Sequence, residues 1–133
     1  MKFEEQLKLL ENKIKASYEE SITMPEAEKL AAEFLHAQIV VSGELRKSDL
    51  DARMKKSGVK ALRANAYLSI VSEAEKKPTE TQIASIIDTD QLVIKNQELL
   101  DKAEVDRANL ERYYDIFTNA HVFYRNVARG NFA

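Results

Sequence analysis

Seven basic side chains crowd into residues 44–65: Arg46, Lys47, Arg53, Lys55, Lys56, Lys60 and Arg63. Three acids, Glu44, Asp49 and Asp51, stand against them, and after Asp51 no further acid occurs until Glu73. Arg53, Lys56, Lys60 and Arg63 are spaced 3, 4 and 3 apart, which on a helix sets them in one row. A fixed row of cations has one characteristic chemistry, the non-covalent capture of phosphates along a nucleic-acid backbone with release of counterions. Tyr67 follows one turn beyond Arg63 on the same face, where a ring stacks on an unpaired base. The same residues also make sense as a solvated helix face, with Tyr67 at the rim of a core. The patch carries a net charge of +4 per chain, and it becomes strong when several subunits present it together.

No other constellation in the chain points to chemistry. The two histidines, His36 and His121, sit among apolar residues without a metal-ligand spacing. There is no cysteine, hence no disulfide, no thiol catalysis and no Cys-ligated zinc, which fits a reducing cytoplasm. No Gly-rich phosphate loop and no dinucleotide fingerprint occurs. The sequence therefore predicts a protein that is not an enzyme and needs no metal or cofactor. The formal net charge of −2 draws the chain as a whole to neither nucleic acid nor an anionic membrane. Its start, Met1-Lys2-Phe3-Glu4-Glu5, has no signal-like apolar run, and no stretch approaches the roughly 20 apolar residues of a membrane span.

The elements that must position the basic row are helices. Gly (3) and Pro (2) are scarce among 133 residues, which disfavours many short strands. An amphipathic N-terminal helix is expected within residues 1–22, with Phe3, Leu7, Leu10, Ile14 and Tyr18 in one stripe. A break at Ser21–Pro25 leads to a capping box of Thr23 and Glu26. The next helix spans 24–76, with Ala27, Leu30, Ala31, Phe34 and Leu35 inward at its start and Leu50, Met54, Ala61, Leu62 and Ala66 as its later apolar stripe. That stripe lies about 140° around the helix from the cations. Gly43 and Gly58 interrupt the pattern, each costing about 1 kcal/mol relative to Ala. Lys76-Lys77-Pro78 is a stop. Thr79 and Gln82 cap a short helix at 79–88 with Ile83, Ile86 and Ile87 inward.

A last helix spans 90–129. Its expected seam is Leu92, Asn96, Leu99, Ala103, Asp106, Leu110, Tyr113, Phe117, Ala120, Tyr124 and Val127, a heptad pattern whose two polar members would set register. Helices of about 50 and 39 residues would run about 75 and 58 Å, too long for a lone small globule to bury along their length. The expected fold is all-α, a single helical domain over 1–133. It is an elongated hairpin of long amphipathic helices that oligomerises through coiled-coil-like packing. Leu110, Tyr113, Phe117, Ala120, Tyr124 and Val127 are the candidate oligomerisation residues.

The order of these segments resembles the UvsY-type phage recombination mediators. The resemblance runs from the acidic start Glu4-Glu5-Gln6-Leu7-Lys8 to Lys60-Ala61-Leu62-Arg63 followed by Tyr67. It continues through Thr81-Gln82-Ile83-Ala84-Ser85-Ile86-Ile87-Asp88-Thr89-Asp90 and Tyr124-Arg125-Asn126-Val127-Ala128-Arg129-Gly130. It implies a protein of the bacterial host cytoplasm that binds single-stranded DNA and forms rings of six or seven subunits. It also implies a role in recombination and repair, loading a recombinase onto DNA coated with single-strand-binding protein. Arg63 falls on one of the family's paired basic positions and Ala61 on the other, where Lys60 or Lys56 would supply the charge. Ala66-Tyr67-Leu68-Ser69 replaces the family's Tyr-Tyr and Gly step. The resulting candidate DNA-binding residues are Arg53, Lys56, Lys60, Arg63 and Tyr67. The competing expectation is a helical scaffold or adaptor that binds no DNA and leaves the basic row as solvated surface.

Overall fold

A computed structural model describes residues 2–130. It contains four helices in the order α1 (Phe3–Glu19), α2 (Met24–Glu73), α3 (Glu80–Asp88) and α4 (Gln91–Ala128), and no strand occurs among the described residues. The all-α class and the pairing of two long helices are as expected. The helix starts follow local capping chemistry. Thr23 Oγ1 accepts from the Glu26 backbone N–H while Glu26 accepts from the Thr23 N–H. Thr79 and Gln82 do the same for α3, and Asp90 accepts from the backbone of Leu92 and Val93 to open α4. At the far end, Gly130 takes a positive φ of 77° in the position after a helix where glycine is favoured.

The chain divides into two compact units, residues 1–45 with 109–133, and residues 46–108. In the first unit α1 and the opening half of α2 close around the last third of α4. Leu7, Ala31, Phe34, Ala37, Val41, Tyr113, Phe117, Ala120 and Tyr124 form its core. Phe34 stacks on Tyr124 at 5.6 Å between ring centres and meets Phe117 at the same separation. His121 bonds through Nδ1 to the Ala31 carbonyl at 2.9 Å, so it is a packed histidine. Five of the six candidate oligomerisation residues, Tyr113, Phe117, Ala120, Tyr124 and Val127, are buried, and Leu110 packs against the same core. Within this chain the C-terminal seam packs against its own α1 and α2. Tyr18 leaves the predicted α1 stripe and is exposed beside Phe123, and Leu35 is likewise exposed.

In the second unit the later half of α2 packs on α3 and the first half of α4. Ile83, Ile87 and Val93 are buried against Leu62, Ala66, Tyr67, Ile70 and Val71, and Ala52, Val59, Leu100 and Ala103 are buried as well. The α2 face differs from the predicted one. Leu50 and Met54 are 60% and 67% exposed and Ala61 is exposed, whereas Ala52, Val59 and half-buried Ala66 repeat every seven residues on the opposite side. Small side chains allow α2 and α4 to approach closely, so packing selects them over the larger Leu50 and Met54. In α4 the seam shifts by one residue. Leu92 and Leu99 are exposed while Val93 and Leu100 are buried; adjacent apolar pairs make periodicity blind to a one-residue slip. Asp106 is exposed and half-buried Arg107 takes its place in the seam, ion-paired with Asp49 at 4.0 Å. Asn96 bonds the Leu92 carbonyl of its own helix. Ile86 points outward.

Two side predictions follow from local geometry. α2 is continuous through Gly43 and Gly58, and a Cβ at either would meet nothing within 4 Å. Gly43→Ala is expected to stabilise the fold by about 0.5–1 kcal/mol, read as a higher midpoint in chemical denaturation. Tyr124 is buried with its hydroxyl against Ser17, and desolvation raises its pKa above the ordinary value. The folded state then holds this proton more tightly than the unfolded chain, so its contribution is complete below pH about 10 and lost as pH rises through the raised folded value. Tyr124→Phe is expected to flatten the alkaline decline in stability, measured by melting between pH 9 and 12.

Candidate nucleic-acid interface

The basic row sits on the later half of α2, a stretch made rigid by a buried heptad face and by the seat of α3. Arg53, Lys56 and Lys60 are exposed. Arg53 is tied to Asp49 one turn earlier at 3.0 Å, an exposed pair of small worth that leaves the guanidinium open to solvent. Lys55, beside the row, bonds Asp51 at 2.7 and 2.8 Å. Lys56 and Lys60 have no ion-pair partner among the described residues. Arg46 is exposed too, and it stands seven residues before Arg53 and fourteen before Lys60. The seven-residue interval puts it on the same side of the helix. That seven-residue spacing is visible in the sequence beside the tighter 3, 4, 3 pattern.

The upper end of the row is different. Arg63 is half-buried and its Nη2 pairs with Asp88 Oδ1 of α3 at 2.8 Å. Tyr67 packs against the Ile83, Ile87 and Val93 cluster and donates its hydroxyl to Glu80 Oε1 at 3.0 Å. Its partly buried ring is a wall of the second unit's core. Lys77 approaches the same Glu80 oxygen at 3.4 Å, and Tyr67 foremost, then Glu80, holds its pKa above the ordinary lysine value. The structure thus brings Arg53, Lys56 and Lys60 together as an open row and places Arg63 and Tyr67 under the ends of α3. Lys77 and Glu80 are three residues apart, but the meeting of Glu80 with Tyr67 and of Asp88 with Arg63 arises only when α3 folds back on α2.

Two grooves lie apart from the basic row. A groove of about 380 Å³ in the first unit is lined by Phe3, Leu7, Leu10, Ala37, Val40 and neighbours, with Lys13, Glu33 and His36 at its edge. One of similar volume in the second unit lies between Leu62, Ile70, Ile87 and Val93, with Glu73 and Asp90 in its lining. No group of three or more His, Cys, Asp or Glu is arranged to hold a metal ion among the described residues. No helix is long and apolar enough to cross a membrane among those residues. No known protein family, curated protein or solved structure matches this chain.

Proposed function

We propose that this protein is an oligomeric single-stranded-DNA-binding recombination mediator, acting by holding a strand on which a recombinase assembles in the presence of single-strand-binding protein. The observation that carries the reading is the open row of Arg53, Lys56 and Lys60, extended by Arg46, on a helix face. Such a row engages phosphates without reading bases, which suits a protein that must act on any sequence. The resemblance of the chain's segment order to the UvsY-type mediators supplies the biological role.

Self-association is supported by a different surface from the C-terminal seam. Leu50, Met54, Ala61 and Leu68 form an exposed stripe on the side of α2 away from its buried heptad. An apolar helix face left in water marks a contact for another helix, and a second copy of this chain is the proposed occupant. Light scattering on a sizing column tests this part: particles should be multiples of 15.2 kDa, and Leu50→Glu with Met54→Glu should disperse them.

Binding itself is tested by titrating labelled single-stranded oligonucleotide at two salt concentrations. Affinity should fall steeply with salt; no binding at low salt, or binding indifferent to salt, defeats the proposal. The exposed stripe also favours a second reading, a helical assembly scaffold with no DNA ligand. That reading predicts the same particle mass with no oligonucleotide bound.

A further inference from the structure

We propose that α3 masks a second tier of phosphate-binding groups, its terminal carboxylates standing where phosphates of a bound strand would lie. The proposal rests on the reading of the α2 row as a nucleic-acid interface and adds a regulation to that site. Glu80 opens α3 and Asp88 closes it. Asp88 takes Arg63 at 2.8 Å; Glu80 takes the Tyr67 hydroxyl at 3.0 Å and Lys77 at 3.4 Å. Two carboxylates therefore neutralise the upper end of the row, while its lower end stays open.

Attachment of α3 does not depend on these contacts. Ile83 and Ile87 are buried in the apolar cluster, whereas the carboxylates are exposed, at 70% for Glu80 and 61% for Asp88. Exposed ion pairs contribute little to stability, and Asp88 is also unfavourably placed, a negative charge on the last residue of a helix whose dipole favours cations there. A carboxylate that helps neither the helix nor its docking, yet pairs with the one arginine that ends the row, fits a placeholder for another anion. A phosphate oxygen can take its place at Arg63 Nη2, where Asp88 makes a single charge-assisted hydrogen bond. The exchange needs only rotation of the Glu80 and Asp88 side chains, with α3 remaining on its isoleucines. While Glu80 and Asp88 hold their partners the mask narrows the interface to Arg46, Arg53, Lys56 and Lys60; Arg63 and Lys77 join it only once those carboxylates are neutralised or turned away.

The test is anisotropy of a labelled oligothymidylate across a salt series, using Glu80→Gln with Asp88→Asn in the full chain. The variant should bind about 5- to 10-fold more tightly at low salt. Its salt slope should steepen by about 1.4, two added phosphate contacts at about 0.7 each on a single strand. Adding Arg63→Gln to it should return both quantities toward wild type. Unchanged affinity and slope overturn the mask, and so does tighter binding at unchanged slope, which is only relief of distant repulsion. Arg63→Gln with Asp88→Asn removes both partners of one pair and should bind like wild type; a tenfold loss means that Arg63 already faces the strand, and overturns the mask as well. Failure of the wild type to bind, or binding indifferent to Lys56 and Lys60, instead defeats the underlying reading.

Discussion

Phe117→Ala is expected to cost about 3–5 kcal/mol, the largest loss of stability from any single truncation in this chain. Phe117 is completely buried and stands between Phe34 on α2 and Tyr113 on its own helix, with ring centres 5.6 and 5.7 Å away. Removing the ring deletes its transfer free energy and leaves a cavity lined by two further aromatic rings and the buried Ala37 and Ala120 layer. Neither rigid rings nor short alanines move in to fill such a space, so the cost should fall high in the usual range. Domains of this size have about 5–15 kcal/mol in hand, so the variant loses about a fifth or more of that. Guanidinium denaturation followed by helical ellipticity measures it. A loss below about 1.5 kcal/mol would mean that the first unit's core is looser than its packing indicates.

Lys56→Glu with Lys60→Glu is expected to weaken single-stranded DNA binding about 100-fold at low salt. Each reversal removes an attraction of about 1 kcal/mol at contact distance in water and adds a comparable repulsion. Two of them make about 3–4 kcal/mol, and screening by the neighbouring Arg53 and by salt reduces this toward 2–3 kcal/mol, which is on the order of 100-fold. The salt slope should flatten by about 1.4 as two phosphate contacts disappear. Both side chains are exposed and unpaired among the described residues, so stability should hardly change, and melting temperature serves as the control. Wild-type affinity in this variant would remove the row from the interface and favour the scaffold reading.

The helices themselves were legible because their ends are written in local chemistry. Two capping boxes and an Asp at the start of α4 need no tertiary information and sit where the sequence puts them, while α2 ends at Glu73, just before the Lys-Lys-Pro stop. Faces were legible only where one side of a helix is apolar. In α4 beyond Leu110 the 3–4 spacing of Tyr113, Phe117, Ala120, Tyr124 and Val127 names the set that is buried. In α2 after residue 46 apolar side chains occupy two opposite faces, and periodicity cannot tell which of them packs. Large Leu50 and Met54 drew the reading outward, while contact with α4 selects Ala52, Val59 and Ala66. The candidate site shows the same boundary. A row set by helical phase, Arg53 to Lys60, is visible in one dimension; the carboxylates that engage Arg63 and Tyr67 come from 25 and 13 residues away and become neighbours only through the fold.

The division into two units also sets an order of assembly in time. Contacts of the second unit include Arg63 to Asp88, 25 residues apart, and reach from Asp49 to Arg107. Those of the first join distant ends, as in Ser17 to Tyr124, 107 residues apart. Closing the longer loop in an otherwise unfolded chain costs about 1.3 kcal/mol more in entropy. Residues 46–108 are therefore the natural nucleus of folding, and once they have paired, far less free chain separates Phe34 from Phe117. Substitutions at Ile83 or Val93 would then slow folding, while Phe117→Ala would act chiefly by hastening unfolding. The aromatic core contributes most to how long the folded state lasts, and the small unit under α3 to how soon it is reached.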